Sequence, residues 1–106
     1  MIVVGGKVVT AMERVAQAGE FRSNVELGGQ GRQVVLPAEY KQTAERIAQA
    51  LALDYCGVDL LEGAKGPIVC EVNSNAFFEG IEKVSGVNVA KAYSEYILNT
   101  IQRKSL

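Results

Sequence analysis

Gly57-Val58-Asp59-Leu60-Leu61 and Cys70-Glu71-Val72-Asn73 decide how this chain folds. They sit in two short apolar runs, 55–61 and 67–72, joined by Glu62-Gly63-Ala64-Lys65-Gly66. Apolar, β-prone runs separated by a short glycine-containing stretch read as a hairpin, here with a five-residue loop over 62–66. Side chains alternate faces along a strand, so Glu71 and Asn73 point the same way from one strand end. If the two runs pair, a short register argument brings Asp59 to that same face. Two carboxylates and one amide then converge.

Outward from this hairpin the pattern continues. At the start, 2–4 and 8–12 are β-rich and separated by Gly5-Gly6-Lys7, where two glycines supply the positive φ of a tight turn. From 14 to 32 periodicity is lost, and Gly19, Gly28, Gly29 and Gly31 with Ser23 and Asn24 mark a long loop. A loop of this length inside a small domain is a first hint of a binding site. Val34-Val35-Leu36 reads as a short strand before Pro37, and a helix follows over 37–53. Its apolar residues Tyr40, Ala44, Ile47, Ala48 and Leu51 keep helical spacing. The last segment, 88–103, is a second helix with Asn88 as N-cap and Val89, Tyr93, Tyr96, Ile97 and Ile101 as its apolar stripe. The order β-β-loop-β-α-β-β-loop-α indicates an α+β domain, an antiparallel sheet packed with two main helices.

Composition narrows the chemistry. The chain has 106 residues, 48% hydrophobic and 22% charged, which fits one globular domain and not disorder. A net charge of -1 gives no broad basic surface, so direct nucleic-acid binding is not expected. No apolar run approaches a membrane span, and Met1-Ile2-Val3-Val4-Gly5-Gly6 does not read as a signal peptide. A cytoplasmic setting is expected. Cys56 and Cys70 fit no zinc pattern, there is no histidine, and both cysteines read as small apolar residues inside strands. Without histidine, chemistry must come from carboxylates, backbone, arginine or a bound metal.

Asp59, Glu71 and Asn73 are a hard-cation donor set, suited to Mg²⁺ or Mn²⁺ and too oxygen-rich to favour zinc. On spacing alone the signal is weak, and acidic residues that merely end strands are the more common reading. Arg22, in Arg22-Ser23-Asn24, offers a planar fork for phosphate or carboxylate, or is a solvated loop side chain. Gly28-Gly29-Gln30-Gly31 fits neither common phosphate-loop pattern and reads as backbone punctuation.

Taken in order, Glu20-Phe21-Arg22-Ser23-Asn24 with Gly28-Gly29, Ala52-Leu53-Asp54 running into Gly57-Val58-Asp59-Leu60, Cys70-Glu71-Val72-Asn73, and Glu79-Gly80-Ile81-Glu82 resemble the C-terminal part of RimK-like ATP-grasp ligases, the ribosomal-protein-modification and glutamate ligase family. The resemblance implies an ATP-dependent carboxylate–amine ligase. In such an enzyme an acceptor carboxylate takes the γ-phosphoryl group of ATP, and an amine, that of glutamate by family, then displaces phosphate. It implies that Asp59, Glu71 and Asn73 bind two Mg²⁺ or Mn²⁺ ions bridging the ATP phosphates. It also places Arg22, Ser23 and Asn24 against the nucleotide, with Arg22 at the reacting phosphate as the catalytic arginine.

Partners implied are ATP, a carboxylate-bearing peptide or small-molecule acceptor, and an amino acid. The alternative is a non-catalytic metal- or nucleotide-binding module derived from the same fold. One departure concerns the run after Asn73. The family has a small residue and then Ser-Pro-Gly, whereas here Ser74-Asn75-Ala76-Phe77-Phe78 is aromatic, and Phe77 and Phe78 either pack against a neighbour or line a different acceptor pocket. A second concerns extent. Residues 1–106 correspond to a C-terminal ATP-grasp subdomain, with the N-terminal domain and first ATP-grasp lobe absent, so the piece alone is expected to be inactive. The surface facing that lobe is expected to promote self-association.

Overall fold

The computed structural model describes residues 1–15, 30–32 and 34–105. In chain order the elements are β1 (Ile2–Val4), β2 (Lys7–Thr10), β3 (Glu13–Val15), β4 (Gln30–Arg32) and α1 (Ala38–Ala50). They are followed by β5 (Tyr55–Gly63), β6 (Gly66–Asn73), α2 (Glu79–Ser85) and α3 (Val89–Ser105).

Two glycines make the first hairpin possible. Gly5 and Gly6 hold φ of 58° and 81°, the left-handed pair that a tight turn matching strand twist requires. They bring β1 and β2 together, and β1 then pairs antiparallel with β5 through Ile2 opposite Gly57, Val3 opposite Cys56 and Val4 opposite Tyr55. β5 and β6 form the second hairpin, so the sheet runs β2-β1-β5-β6 with β2 and β6 at its edges. Its turn is shorter than the sequence suggests. Glu62, Gly63 and Gly66 belong to the strands, and only Ala64 and Lys65 lie between them.

The sheet separates two apolar layers, as strand alternation demands. Val3, Cys56 and Val58 are buried on one face against Ala44 and Ala48 of α1. Ile2 and Val4 are buried on the other, against Ile81 of α2 and Val89 of α3. Alanines on the contacting stripe of α1 let its backbone come close to the strands. Each fully buried valine stabilises by about 1.5–3 kcal/mol. Among the described residues no helix is long and apolar enough to cross a membrane.

Several sequence expectations change. The ends of the supposed 14–32 loop are ordered as β3 and β4, which pair antiparallel as a separate ribbon. Residues 34–36 are not a strand; among the described residues no strand pairs with them, and Val35 is 96% exposed. α1 stops at Ala50 and not at 53. Ala52 takes φ 55°, its N–H donates to the Gln49 carbonyl, and the Leu53 N–H donates to the Ala48 carbonyl, closing a Schellman cap. Leu51 is therefore an exposed cap residue and not part of the buried stripe.

α2 falls in the span expected to be a loop. In α3 the stripe is only half buried. Val89 is fully covered, but Ile97 and Ile101 are exposed. Cys56 is buried and Cys70, on the edge strand, is exposed; both are free.

Candidate functional site

The register of the β5–β6 hairpin sets Asp59 directly opposite Glu71 and Gly57 opposite Asn73. Glu71 and Asn73 are two apart on one strand, so all three oxygen-bearing side chains share one face. It is the face that carries Tyr55 and Gly57, on the side of α2 and α3, since Val58 and Val72 pack toward α1. Directly opposed residues have Cβ atoms about 4.5–5.5 Å apart, within reach of a single ion for two carboxylates. The register slips between Asp59 and Leu60, beyond the pair, and leaves it undisturbed. Glu71 and Asn73 are exposed and Asp59 half-buried, so the group faces solvent at a strand end. Among the described residues no three carboxylate, thiol or imidazole groups gather as a metal site; this set has two carboxylates and one amide.

The turn after Asn73 holds that amide in place. The Asn75 N–H donates to Asn73 Oδ1 at 2.9 Å, an Asx turn that leaves the oxygen a second lone pair. The chain then folds back over β5, where Ala76 covers Gly57. A Cβ built on Gly57 would lie 2.6 Å from the Ala76 Cβ, so only glycine fits beneath this turn. The Tyr55 hydroxyl donates to the Ala76 carbonyl at 2.6 Å and clamps it. Burial, with smaller contributions from Tyr93, Cys56 and Glu82, pushes the Tyr55 phenol above its ordinary value of 10.0 and keeps it neutral.

Phe77 and Phe78 have opposite fates. Phe78 packs edge-on to Tyr55, with ring centroids 6.5 Å apart, and joins the core on the α2–α3 side. Phe77 is 83% exposed. Tyr55 in turn stacks on Tyr93 at 4.8 Å and 9°. These four rings, with Ser74, Asn75, Ala76 and Glu79, line a cavity of about 400 Å³ beside the Asn73 turn. The sequence reading assigned Tyr93 to the core; it serves there and in the cavity wall alike.

Glu82, quoted in Glu79-Gly80-Ile81-Glu82, has a structural task. Its Oε2 accepts the Val89 N–H at 2.7 Å and the Ala90 N–H at 3.4 Å, while Asn88 Oδ1 accepts the Lys91 N–H at 2.9 Å. Together they satisfy N–H groups of the first turn of α3, and the carboxylate also faces the positive end of the helix dipole. Asn88 is thus the N-cap expected from sequence. A carboxylate six residues upstream as a second cap leaves no periodic signal and was missed. Arg22, Ser23 and Asn24 lie outside the described residues.

The comparisons with known proteins agree with this architecture. The RimK-like ATP-grasp domain matches residues 1–97, and the chain belongs to that family. A probable alpha-L-glutamate ligase of Maridesulfovibrio salexigens is 45% identical over 101 residues, covering 95% of this chain and 34% of that protein. One of Rhodopirellula baltica is 50% identical over 95 residues, covering 90% of this chain and 24% of its own length.

The chain therefore spans only about a quarter to a third of the curated relatives it matches, 34% and 24% in these two. Among solved structures, the ATP-grasp ligase PsnB with a phosphomimetic variant of a minimal precursor, Mg and ADP superposes with TM-score 0.72 at 24% identity, covering 92% of this chain and 30% of that one. PsnB with minimal precursor, Mg and ADP gives 0.70 at 27% identity, covering 93% and 31%. The α+β, ATP-grasp-lobe expectation stands on these matches and on the four-stranded antiparallel sheet.

Proposed function

We propose that this chain supplies the metal-ligating part of the nucleotide site of an ATP-dependent carboxylate–amine ligase, with Asp59, Glu71 and Asn73 holding Mg²⁺ or Mn²⁺. One observation carries the reading: Asp59 and Glu71 are a cross-strand pair with Asn73 on the same face. Two like charges placed directly opposite each other destabilise a sheet, and a divalent cation between them reverses the sign of that term. The donor set fits a hard cation. Oxygen alone is offered, and two negative charges plus a neutral amide match one divalent charge while leaving positions for water and phosphate.

When bound, two such ions would neutralise charge on the ATP phosphates and hold them for in-line transfer. The chain's own residues have the remaining tasks. Asp59 and Glu71 anchor charge, the Asx turn fixes Asn73, and Arg22, Ser23 and Asn24 take the nucleotide-contacting role that the family resemblance gives them. The acceptor carboxylate takes the γ-phosphoryl group as an acylphosphate, and the amine of an amino acid displaces phosphate to leave an amide. Glutamate is that amino acid on the strength of the relatives' names. Residues 1–106 act as the C-terminal ATP-grasp subdomain, in the cytoplasm, and the rest of the nucleotide cleft comes from the part of the architecture that the longer relatives carry.

Because the phosphates supply much of the grip on such ions, this chain alone binds metal weakly, in the millimolar range. Titrating Mn²⁺ while following NMR line broadening tests the site. Wild type should broaden at Asp59, Glu71 and Asn73, and Glu71→Ala should need at least tenfold more metal. Superimposable curves for the two proteins would remove the metal site and the ligase reading with it. Exposed Leu61, Ile68 and Val69 on the β5–β6 hairpin give a surface for self-association. Light scattering at rising concentration should show a growing mass, and a constant monomer mass would refute this.

A further inference from the structure

The cavity beside the Asn73 turn has a composition that the metal chemistry does not use. Its floor is aromatic, with the Tyr55–Tyr93 stack at 4.8 Å and Phe78 set edge-on to Tyr55. Both tyrosines are engaged with each other, and the Tyr55 hydroxyl is committed to the Ala76 carbonyl. Exposed toward a ligand are the small polar side chains of Ser74 and Asn75, the Phe77 ring, 83% exposed, and the carboxylate of Glu79, the one charged group of the lining. Among the described residues Glu79 makes no ion pair or hydrogen bond. An aromatic face beside an unneutralised carboxylate, over an apolar floor, attracts one chemical class: an organic cation on an aliphatic stem.

The location says whose cation. The cavity lies on the same sheet face as Asp59, Glu71 and Asn73, with the turn of Ser74, Asn75 and Ala76 between them. Tyr55 and Asp59 are four strand positions apart, roughly 13 Å. From the carboxylate pair to the Tyr55 end of the cavity is therefore the span of a few residues of extended chain, so a side chain a few positions from the reacting carboxylate of a peptide acceptor reaches it. We propose that this cavity is an acceptor subsite that recognises a lysine- or arginine-type cation of a peptide acceptor, through Glu79 and the Phe77 ring. The assignment to the acceptor rests on the ligase reading above; the cation preference does not.

The test uses the 106-residue chain and two probes, N-acetyl-lysine N-methylamide and the neutral norleucine analogue of equal stem, followed by NMR at the amides of 74–79. The lysine probe should give saturable shifts there, and norleucine should bind at least fivefold more weakly. Glu79→Gln should weaken the lysine probe at least fivefold, and Phe77→Leu should weaken it as well. Both substitutions are at exposed positions, so spectra outside 74–79 should be unchanged. Equal binding of the two probes, or an unaffected Glu79→Gln, overturns the cation subsite. Mn²⁺ broadening recorded on the same samples reads the ligase proposal separately. Broadening at Asp59 and Glu71 with no lysine preference sinks this inference alone, and lysine preference without broadening sinks the acceptor role while the cation site stands.

Discussion

Gly57→Ala is the sharpest probe of how the site is built. The new Cβ would stand 2.6 Å from the Ala76 Cβ. Carbon atoms in good contact are about 3.5–4.0 Å apart, so one side must move by about 1 Å. Overpacking of this kind costs about 1–3 kcal/mol. Against it, replacing a strand glycine by alanine recovers about 0.5–1 kcal/mol of backbone entropy, since Gly57 has no positive φ to protect. The clash wins, leaving a net loss of about 0.5–2 kcal/mol.

The displaced part is the Ala76 turn, so the Tyr55–Ala76 hydrogen bond and the Asx turn at Asn73 should loosen together. Urea unfolding measures the first effect and Mn²⁺ titration the second. Adding Ala76→Gly removes the opposing methyl and should restore most of the stability and the metal affinity. A Gly57→Ala protein as stable as wild type, or a double variant that is no better than the single one, would refute the packing argument.

Two further outcomes are expected. Ala52→Gly should stabilise by about 0.5–1 kcal/mol, because an L-residue in the left-handed region costs about 1–2 kcal/mol while glycine gives part of that back as chain entropy; chemical denaturation checks the sign. Glu82→Ala should cost about 1–2 kcal/mol by freeing two N–H groups of α3, with Glu82→Gln losing less, and hydrogen exchange at Val89 and Ala90 should quicken.

What could be read from sequence was whatever short-range chemistry dictates. Gly5-Gly6 announced its turn, and the apolar runs around Asp59 and Glu71 announced a hairpin whose pairing then followed from alternation. Asn88 announced a helix start. Three things escaped for physical reasons. β3 and β4 each have three residues and pair across a stretch without periodicity, so nothing local marks them. α2 spans under two helical turns with Gly80 inside, too short for a stripe, although Gly86 in the left-handed region marks its end. The left-handed position that closes α1 is Ala52, where glycine is the usual signal, so the helix expected from sequence ran on to Leu53. At the site, the opposition of Asp59 and Glu71 was within reach of the pattern. The Phe77–Glu79 cavity was not, because it depends on Tyr93 arriving from a helix distant in sequence.

The register slip beyond Asp59 has an evolutionary consequence. β6 carries one extra residue there, Cys70, so that Leu60 meets Val69 and Leu61 meets Ile68 instead of the partners a regular ladder would give. The hairpin is thereby divided into a proximal half, in phase with the sheet, and a distal half with a phase of its own. Pairing with β1 holds the start of β5 in place, so changes in length near Ala64 and Lys65 should be confined to the distal half. Descendants of this chain are free to rebuild the tip for new contacts while the ion-binding end keeps its alignment.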